Sequence, residues 1–544
     1  MAKSVKTAFI ILPIHLFDYK IFLEHIKPFA NELKTIYILE EPIYFGDRET
    51  HLNFNKIKLI YHRATMQHYH DYIKEHLPSA SIKLEYLEYN KLKTAKGYQQ
   101  IKSLHSRIIM FNPIDTYLEA KYKKIFTTKL KPTDLLETPL FLCTSTDLVD
   151  FHKKKANPNT YFHASFYTWQ RERLAEQISL PKSNKTYDTE NRNMMPLDTQ
   201  VPPLPKNDAT TQKTKKYLHE AITYVEHNWP HNLEPVYVKE ENKPITEASI
   251  LFPISHKTSL QWLEHFCHNR LKLFGKYEDS IDSGGKGGKP RNFLFHSAIT
   301  PMLNIGLITP QDVISVVTNY YDKHNAEIGI ENYEGFIRQI IGWREYQRYI
   351  YQYAGNVMRA GNHFKNSRKL TPAWYSGTIG IKPVDDAIKM AMNDGYIHHI
   401  LRLMVVGNFM NLVGIHPDEV YKWFMEFALD SYDWVMVGNV YSMTMWADGG
   451  LTMRKPYISG DGYIMKMSNY SKGGKGEKGG DGKNNEKDWN TKWNAVFHHF
   501  IDRNSMQLSK TYYNGLVKAW NRQAKQKKDE ELQIANDIIK HISK

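Results

Sequence analysis

The chain has 544 residues, 41% hydrophobic and 13% aromatic. It is too long for one ordinary domain and apolar enough for sizeable cores, so two or three domains are expected. The formal net charge of +14 favours an anionic partner, with nucleic acid the first candidate and general solubility the plainer reading. Two cysteines, Cys143 and Cys267, exclude a disulfide framework and a four-cysteine metal site, and they point to a reducing compartment.

In chain order, "MAKSVKTAFIILPIHLFDYK" has an apolar core, Ala8 to Leu12, too short for a secretory signal and followed by no cleavage site. It predicts a first buried strand. No uncharged run is long enough to span a membrane. Over 1–150, "TAFIIL", "TIYILE", "IKLIYHR" and "IKLEYLEY" predict strands, while "FDYKIFLEHIKPFANEL" and "TMQHYHDYIKEHL" predict helices. That alternation implies an α/β domain around a parallel sheet. No G-x-G-x-x-G follows the first strand.

Residues 151–216 read as an interdomain connector, polar and Pro-rich from 176 onward. From 217 to 544, amphipathic patterns such as "TSLQWLEHFCHNRLKLF" and "PQDVISVVTNYYDKH" predict a large all-α domain. "GGKGGKP" (284–290) and "KGGKGEKGGDGK" (472–483) lack the P-loop frame and read as flexible loops, with phosphate contact the alternative. The last segment, "AKQKKDEELQIANDIIKHISK", reads as a charged helix with a solvated face.

Four stretches carry chemistry. "LFHSAITPMLNIGLIT" (294–309) places His296, Ser297 and Thr300 just before Pro301, where hydroxyls and free N–H groups suit phosphates; an ordinary cap is the plainer reading. "EGFIRQIIGWREYQRYIYQ" (334–352) interleaves arginines with aromatics, as an ion-paired core helix or as the wall of a flat, partly anionic ligand. In "DGYIHHILRLMVVGNFMNLVG" (394–414), His398 and His399 head an apolar helix. The i+4 positions are Arg402 and Leu403, so a helical metal site is not supported. A lone histidine on an apolar face is usually a satisfied core residue; two in succession raise the odds of acid/base work. "FALDSYDWVMVGNVYSMTMWADGGLTMRKPYISGDGYIMKMSNY" (427–470) is too irregular for a core helix and predicts pocket-forming turns ending in a helix.

Together with "YHRATMQHYHDYI", "FHASFYTWQRERL" and "TYDTENR", these stretches resemble, in order, the photolyase/cryptochrome family. The nearest branch is the prokaryotic one that repairs (6-4) photoproducts and usually carries an iron–sulfur cluster. The resemblance implies a Rossmann-like antenna domain and a helical domain holding FAD. It also implies a monomer, acting on damaged DNA wherever the DNA lies, in cytoplasm, nucleoid or nucleus. Carried over, Tyr277, His296, Ser297 and Thr300 look like contacts to the FAD phosphates and ribityl chain. Glu334, Gln339, Trp343, Arg344 and Glu345 look like the flanking wall. Asp430 matches the acid at the isoalloxazine edge, with Met436 and Asn439 beside it. His399 and His398 match the histidine pair beside the lesion. Tyr375, Trp423 and Phe424 fall where the branch has an aromatic electron-transfer chain.

This sequence departs from the branch at four places. The cluster cysteines are missing, with "YSKGGKGEKGGDGKNNEKDWNTKWN" in the usual cysteine-rich stretch and Pro383 at the remaining position, so no iron–sulfur cluster is expected. Met436 stands where a glutamate near the flavin is usual, and Phe424 replaces a tyrosine. "ILPIHLFD" departs from the usual Gly-Asp-Gln-Leu at the antenna pocket, where a lumazine-type chromophore is the expectation. The leading reading is a light-driven (6-4) photolyase. A cryptochrome-like photoreceptor is the alternative, slightly disfavoured by the short charged C-terminus, and a cyclobutane-dimer photolyase is disfavoured by the histidine pair.

Overall fold

The computed structural model describes residues 6–155, 157–181, 186–187, 193–205, 212–284, 288–470 and 489–544. Part of "TYDTENR", the centre of the 284–290 stretch and all of the 472–483 stretch lie outside the described residues.

Five strands form one parallel sheet: β1 (Thr7–Ile11), β2 (Leu33–Leu39), β3 (Lys83–Leu87), β4 (Arg107–Phe111) and β5 (Leu135–Leu136). Their order is β3-β2-β1-β4-β5. The central strands "TAFII" and "RIIMF" are continuous apolar runs, as strands covered on both faces must be. The order reverses between β1 and β4, the usual ligand crevice of such sheets. Here that crevice is filled. Leu12, Ile14, His15, Leu16 and Phe17 are all buried. His15 lies against the rings of Phe17 and Phe111 at 6.1 and 5.5 Å, and the Leu16 N–H donates to Ile305 O at 2.9 Å.

Two expectations change. "IKLIYHR" is not a strand but the first half of the Lys56–Glu75 helix, and β4 and β5 supply the strands that the sequence reading did not single out. The helix is deceptive because every residue from Lys56 to Met66 is buried, polar ones included. Its I-K-L-I-Y-H-R pattern therefore shows no exposed face to reveal a helical period. Lys56 reaches Glu226 and Glu234 at 2.8 and 2.6 Å, and Arg63 reaches Glu40 at 2.7 Å. The final helix, Lys525–Ile542, also differs from a plainly solvated one: Ala535, Ile539 and Ile542 form a buried stripe.

The rest is helical, as expected. Three π-helical stretches, Arg338–Arg344, Leu401–Gly407 and Val437–Thr444, interrupt it. Wide turns of this kind often mark functional sites, and these fall within the segments singled out above. The 394–414 segment is not helical throughout. Residues 396–398 are irregular and the helix begins at His399, so His398 stands outside it. Among the described residues no helix is long and apolar enough to cross a membrane.

Burial depresses several histidines well away from the 394–414 segment. His15 and His62 fall to about 3, and His256 to about 4. Unfolded histidines bind protons near pH ~6.5 while these do not, so stability is fullest above about pH 6.5 and is lost as pH falls through about 4 to about 3. Each contributes a slope of up to about 1.4 kcal/mol per pH unit in that window. Melting temperature should therefore drop steadily on acidification below about pH 6.5. His15→Leu should flatten that limb, and an unchanged slope in the variant would refute the assignment.

Candidate functional site

Three segments converge on one polar cluster. Asp430, on the turn after the Pro417–Phe427 helix, is the centre. Its carboxylate accepts from the Thr300 hydroxyl at 2.6 Å and from both terminal nitrogens of Arg402 at 2.9 and 3.1 Å. Asn304 donates to the Asp430 carbonyl at 2.8 Å and also accepts from Arg344. The Arg402 and Asp430 side chains are 12% and 7% exposed, so the fork-to-carboxylate geometry offsets the desolvation of both charges.

Arg402 also fixes the histidines. Its Nε–H donates to the Ile397 carbonyl at 2.6 Å, while Asn292 donates to the Tyr396 carbonyl at 2.5 Å and to Asp394 at 2.8 Å. The irregular 396–398 stretch is thereby held from both sides. His398 is fully buried and stacks on His296, with ring centroids 4.5 Å apart at 14°. Among the described residues, neither His398 nitrogen nor His296 Nε2 has a hydrogen-bond partner. Burial, reinforced by neighbouring cations, holds both imidazoles neutral, His296 down to about 3 and His398 well below its ordinary range. His399 differs. It is exposed at its surface yet lies deep among protein atoms, as a side chain lining a recess does, and burial plus Arg402 lower it to about 4. Leu294 and Ala298, bracketing His296, have φ of 42° and 49°, a left-handed backbone that costs non-glycine residues about 1 kcal/mol or more.

The other predicted residues fall into groups. Ser297 and Thr300 are partly accessible, and the Ser297 carbonyl accepts from Trp262 at 2.8 Å. Gln339, Trp343 and Asn439 are also partly accessible. Gln339 donates to Glu278 at 2.9 Å, Trp343 stacks on His163 at 3.9 Å, and Asn439 donates to the Val435 carbonyl at 2.8 Å. Arg344 is buried between the rings of Phe141 and Trp434, at 5.0 and 4.9 Å. Met436 is buried. Tyr277 packs separately with Phe295, Leu294 and Met195.

Glu334 and Glu345 are fully buried and engaged elsewhere. Glu334 accepts from the Tyr167 hydroxyl at 2.6 Å, and Glu345 accepts the Leu142 and Cys143 N–H groups, both at 2.9 Å. They clasp the "FHASFYTWQRERL" helix and the 140–145 segment onto the helical region.

Trp423 is fully buried. Its indole N–H donates to the Trp374 carbonyl at 2.8 Å, and its ring meets Phe424 at 5.0 Å and Phe427 at 4.5 Å. Phe427 reaches Arg402 at 5.9 Å. Tyr375 donates to Glu426 at 2.7 Å. Sequence reasoning did not assign Arg402, Asn304 or Phe427 to the site. Arg402 had a legible signal: a lone charge in an apolar helix needs a buried partner.

Two family descriptions match the chain: residues 9–229 match "Deoxyribodipyrimidine photo-lyase-related protein", and residues 336–470 match "FAD binding domain of DNA photolyase". Over 255 residues the chain is 34% identical to the (6-4) photolyase of Agrobacterium fabrum (strain C58 / ATCC 33970), covering 47% of this chain and 46% of that protein. The match thus spans less than half of that relative's length. An uncharacterized protein of Acanthamoeba polyphaga mimivirus is 44% identical over 142 residues, 26% of this chain and 100% of that protein. In fold, the chain resembles a bacterial class III photolyase from Agrobacterium tumefaciens, with TM-score 0.54, 13% identity and 99% coverage of each chain. The chain belongs to the photolyase/cryptochrome family, and its helical part is an FAD-binding domain. The unpaired nitrogens of His296 and His398 and the partly accessible Ser297, Thr300, Gln339 and Asn439 suit a polar, hydrogen-bonding cofactor of this kind.

Asp430→Ala leaves Arg402 buried without its counter-charge. Breaking such a pair typically costs about 3–5 kcal/mol. Thermal melting should show a loss of that order together with reduced flavin content. Asp430→Asn keeps the shape and should lie between. Wild-type melting and flavin content in Asp430→Ala would contradict this account.

Proposed function

We propose that this protein repairs (6-4) pyrimidine photoproducts in DNA with light, using FAD. The observation that carries the reading is the arrangement of three histidines: His398 is fully buried and stacked on the partly accessible His296, while His399 is exposed. The resemblance to the histidine pair of the (6-4) branch and the 34% identity to a (6-4) photolyase support it.

On this reading the cofactor, when bound, supplies light-driven single-electron transfer. Ser297, Thr300, Gln339, Trp343 and Asn439 hold it, with Tyr277 and Arg344 supporting that wall. Asp430, its charge balanced by Arg402, and Met436 would also flank the cofactor. Trp423, in contact with Phe424 and Phe427, would with Tyr375 supply an aromatic route for electrons to the cofactor. The damaged base is flipped out of the duplex, since a stacked base cannot be reached and a damaged step opens at lower cost. The +14 charge suits binding to phosphates.

His399 is the acid. Held near 4, it is neutral in the free site and charges when an anion arrives beside it, because an opposite charge favours the protonated imidazole. It therefore gains its proton with the substrate rather than storing a buried charge. His398 orients it. For a lumazine-type antenna, the filled crevice between β1 and β4 leaves a polar cavity of about 570 Å³ between the Lys56–Glu75 helix and β3, lined by Arg63, Gln67, His70, Tyr86 and Glu88 among others. Its volume falls in the ordinary range for small-molecule sites.

His399→Ala should keep fold and flavin content and lower (6-4) repair by about 10²–10⁴-fold, the usual worth of general acid catalysis. His398→Ala should lose less catalysis and more thermal stability. Chromatographic assay of both (6-4) and cyclobutane lesions on illuminated, reduced protein checks this against melting and absorbance of the same samples. Undiminished repair per bound flavin in His399→Ala would remove the catalytic assignment. Wild-type protein that repairs neither lesion would favour the photoreceptor reading, and cyclobutane repair alone would reassign the substrate.

A further inference from the structure

The segment after the Trp489–Arg503 helix has an unusual surface. Between Asp502 and Asp529 the chain has seven Lys and Arg and no Asp or Glu. Two of these turn inward: Arg503 donates to Asn366 at 2.9 Å, and Lys528 lies over Trp520 at 5.0 Å, close to Asp502. The others, among them Lys510, Lys518 and Arg522, are exposed, and among the described residues none of them pairs with a carboxylate. Lys518 and Arg522 stand one turn apart, and so on one face, at the end of the Asn514–Asn521 helix. Gly515 on that helix looks into open space.

Apolar groups share this surface. Met506 is 74% exposed, Tyr512 81% and Leu516 39%. Tyr512 is not a stray core residue, because its neighbour Tyr513 makes the inward contact, donating to the Pro456 carbonyl at 2.7 Å. The Tyr512 ring lies under the exposed Lys455 ammonium at 5.2 Å. An exposed ring among unpaired cations matches the pairing of backbone electrostatics with π-faces used on nucleic acids. The surface is also tied to the site. Lys455 and Pro456 begin a loop whose Ser459 carbonyl accepts from Asn408 at 3.1 Å, on the helical run that opens with His399.

We infer that Lys455, Lys510, Tyr512, Lys518 and Arg522 form a second contact surface for duplex DNA, gripping the phosphate backbone flanking the flipped base. The inference rests on the DNA-repair reading above. The cations take phosphates, and Tyr512 packs against sugar or base at the edge of the footprint. The surface positions the duplex and carries no lesion discrimination, since phosphate contacts are independent of sequence.

The test uses flavin-loaded protein in the dark and a short undamaged duplex, so that no photochemistry enters. Lys510→Glu, Lys518→Glu and Arg522→Glu combined should weaken binding by about 10-fold or more at moderate salt. The same variant should have a log–log salt dependence shallower by about 1 for each phosphate that is no longer neutralised. Tyr512→Ala should weaken binding about fivefold or more with the salt slope unchanged, because the ring has no charge. Melting temperature and flavin content should stay at wild-type values in both. Variants that bind the duplex as wild type does, with the same slope, would overturn the inference and leave this surface to an acidic protein. Wild-type protein without affinity for duplex would instead overturn the DNA-repair reading itself.

Discussion

A buried lysine on the α/β side organises the helical site. Lys58, on the Lys56–Glu75 helix, is 1% exposed and donates to the carbonyls of Met425 at 2.8 Å and Ser431 at 3.1 Å. Its ammonium lies 4.1 Å from the centre of the Phe54 ring. Burial lowers its pKa to about 7, so the contacts to those carbonyls and to the aromatic face stand against a large desolvation cost. Around it, the Asn55 N–H meets the Glu426 carbonyl and the Asn53 N–H meets the Glu426 carboxylate, both at 2.8 Å. The turn between Met425 and Ser431 is thus pinned along its length by residues 53–58, and Asp430 sits on that turn. From Asp430 the constraint passes to Thr300 and Arg402, and from Arg402 to the Ile397 carbonyl just before the histidines. The Leu429 N–H closes the circuit on the Gly395 carbonyl at 2.9 Å. The sheet region thereby helps to set the geometry of the Asp430–Arg402 cluster.

This dependence explains which features were legible in the sequence. The strand-and-helix alternation of the first 150 residues, the helical remainder and the irregular 427–470 region were readable from local periodicity. The histidine pair was readable as an oddity in an apolar run. What escaped was set by tertiary burial. "IKLIYHR" reads as alternation only because Lys58, His62 and Arg63 find partners inside the protein. Glu334 and Glu345 resemble cofactor-wall acids by position, yet each is spent on a clasp between segments far apart in sequence. The resemblance names these carboxylates, and only the folded structure assigns each its partner.

The electrostatics divide by depth. On the surface near the C-terminal helices, cations stand without carboxylate partners and remain available to an anion. Deeper in, Arg402 is matched by Asp430, and charge is suppressed at His296 and His398. A positive interior would hold an anionic substrate tightly before and after reaction. An imidazole that is neutral in the free site and takes a proton from solvent only when an anion lies beside it leaves no standing positive charge in the interior.

The π-helical stretches extend the same logic to the backbone. A π turn is wider than an α turn and pushes its outer residues toward the neighbouring segment. At Gly407 an added Cβ would stand 2.5 Å from Thr444 Cγ2, and at Gly438 it would collide with Gln347 Oε1. Gly407 ends one π stretch and Thr444 ends another, so the two wide turns meet at a point where a side chain has no room. Each stretch gives up regular α-helical hydrogen bonding, a local cost that helices elsewhere in the fold avoid. The return is positional. The wide turn at 401–407 starts two residues after His399 and contains Arg402, and the one at 437–444 follows directly on Met436. Relaxing either to an α-helix would rotate every residue beyond it and move the groups that the Lys58–Asp430–Arg402 chain holds in place.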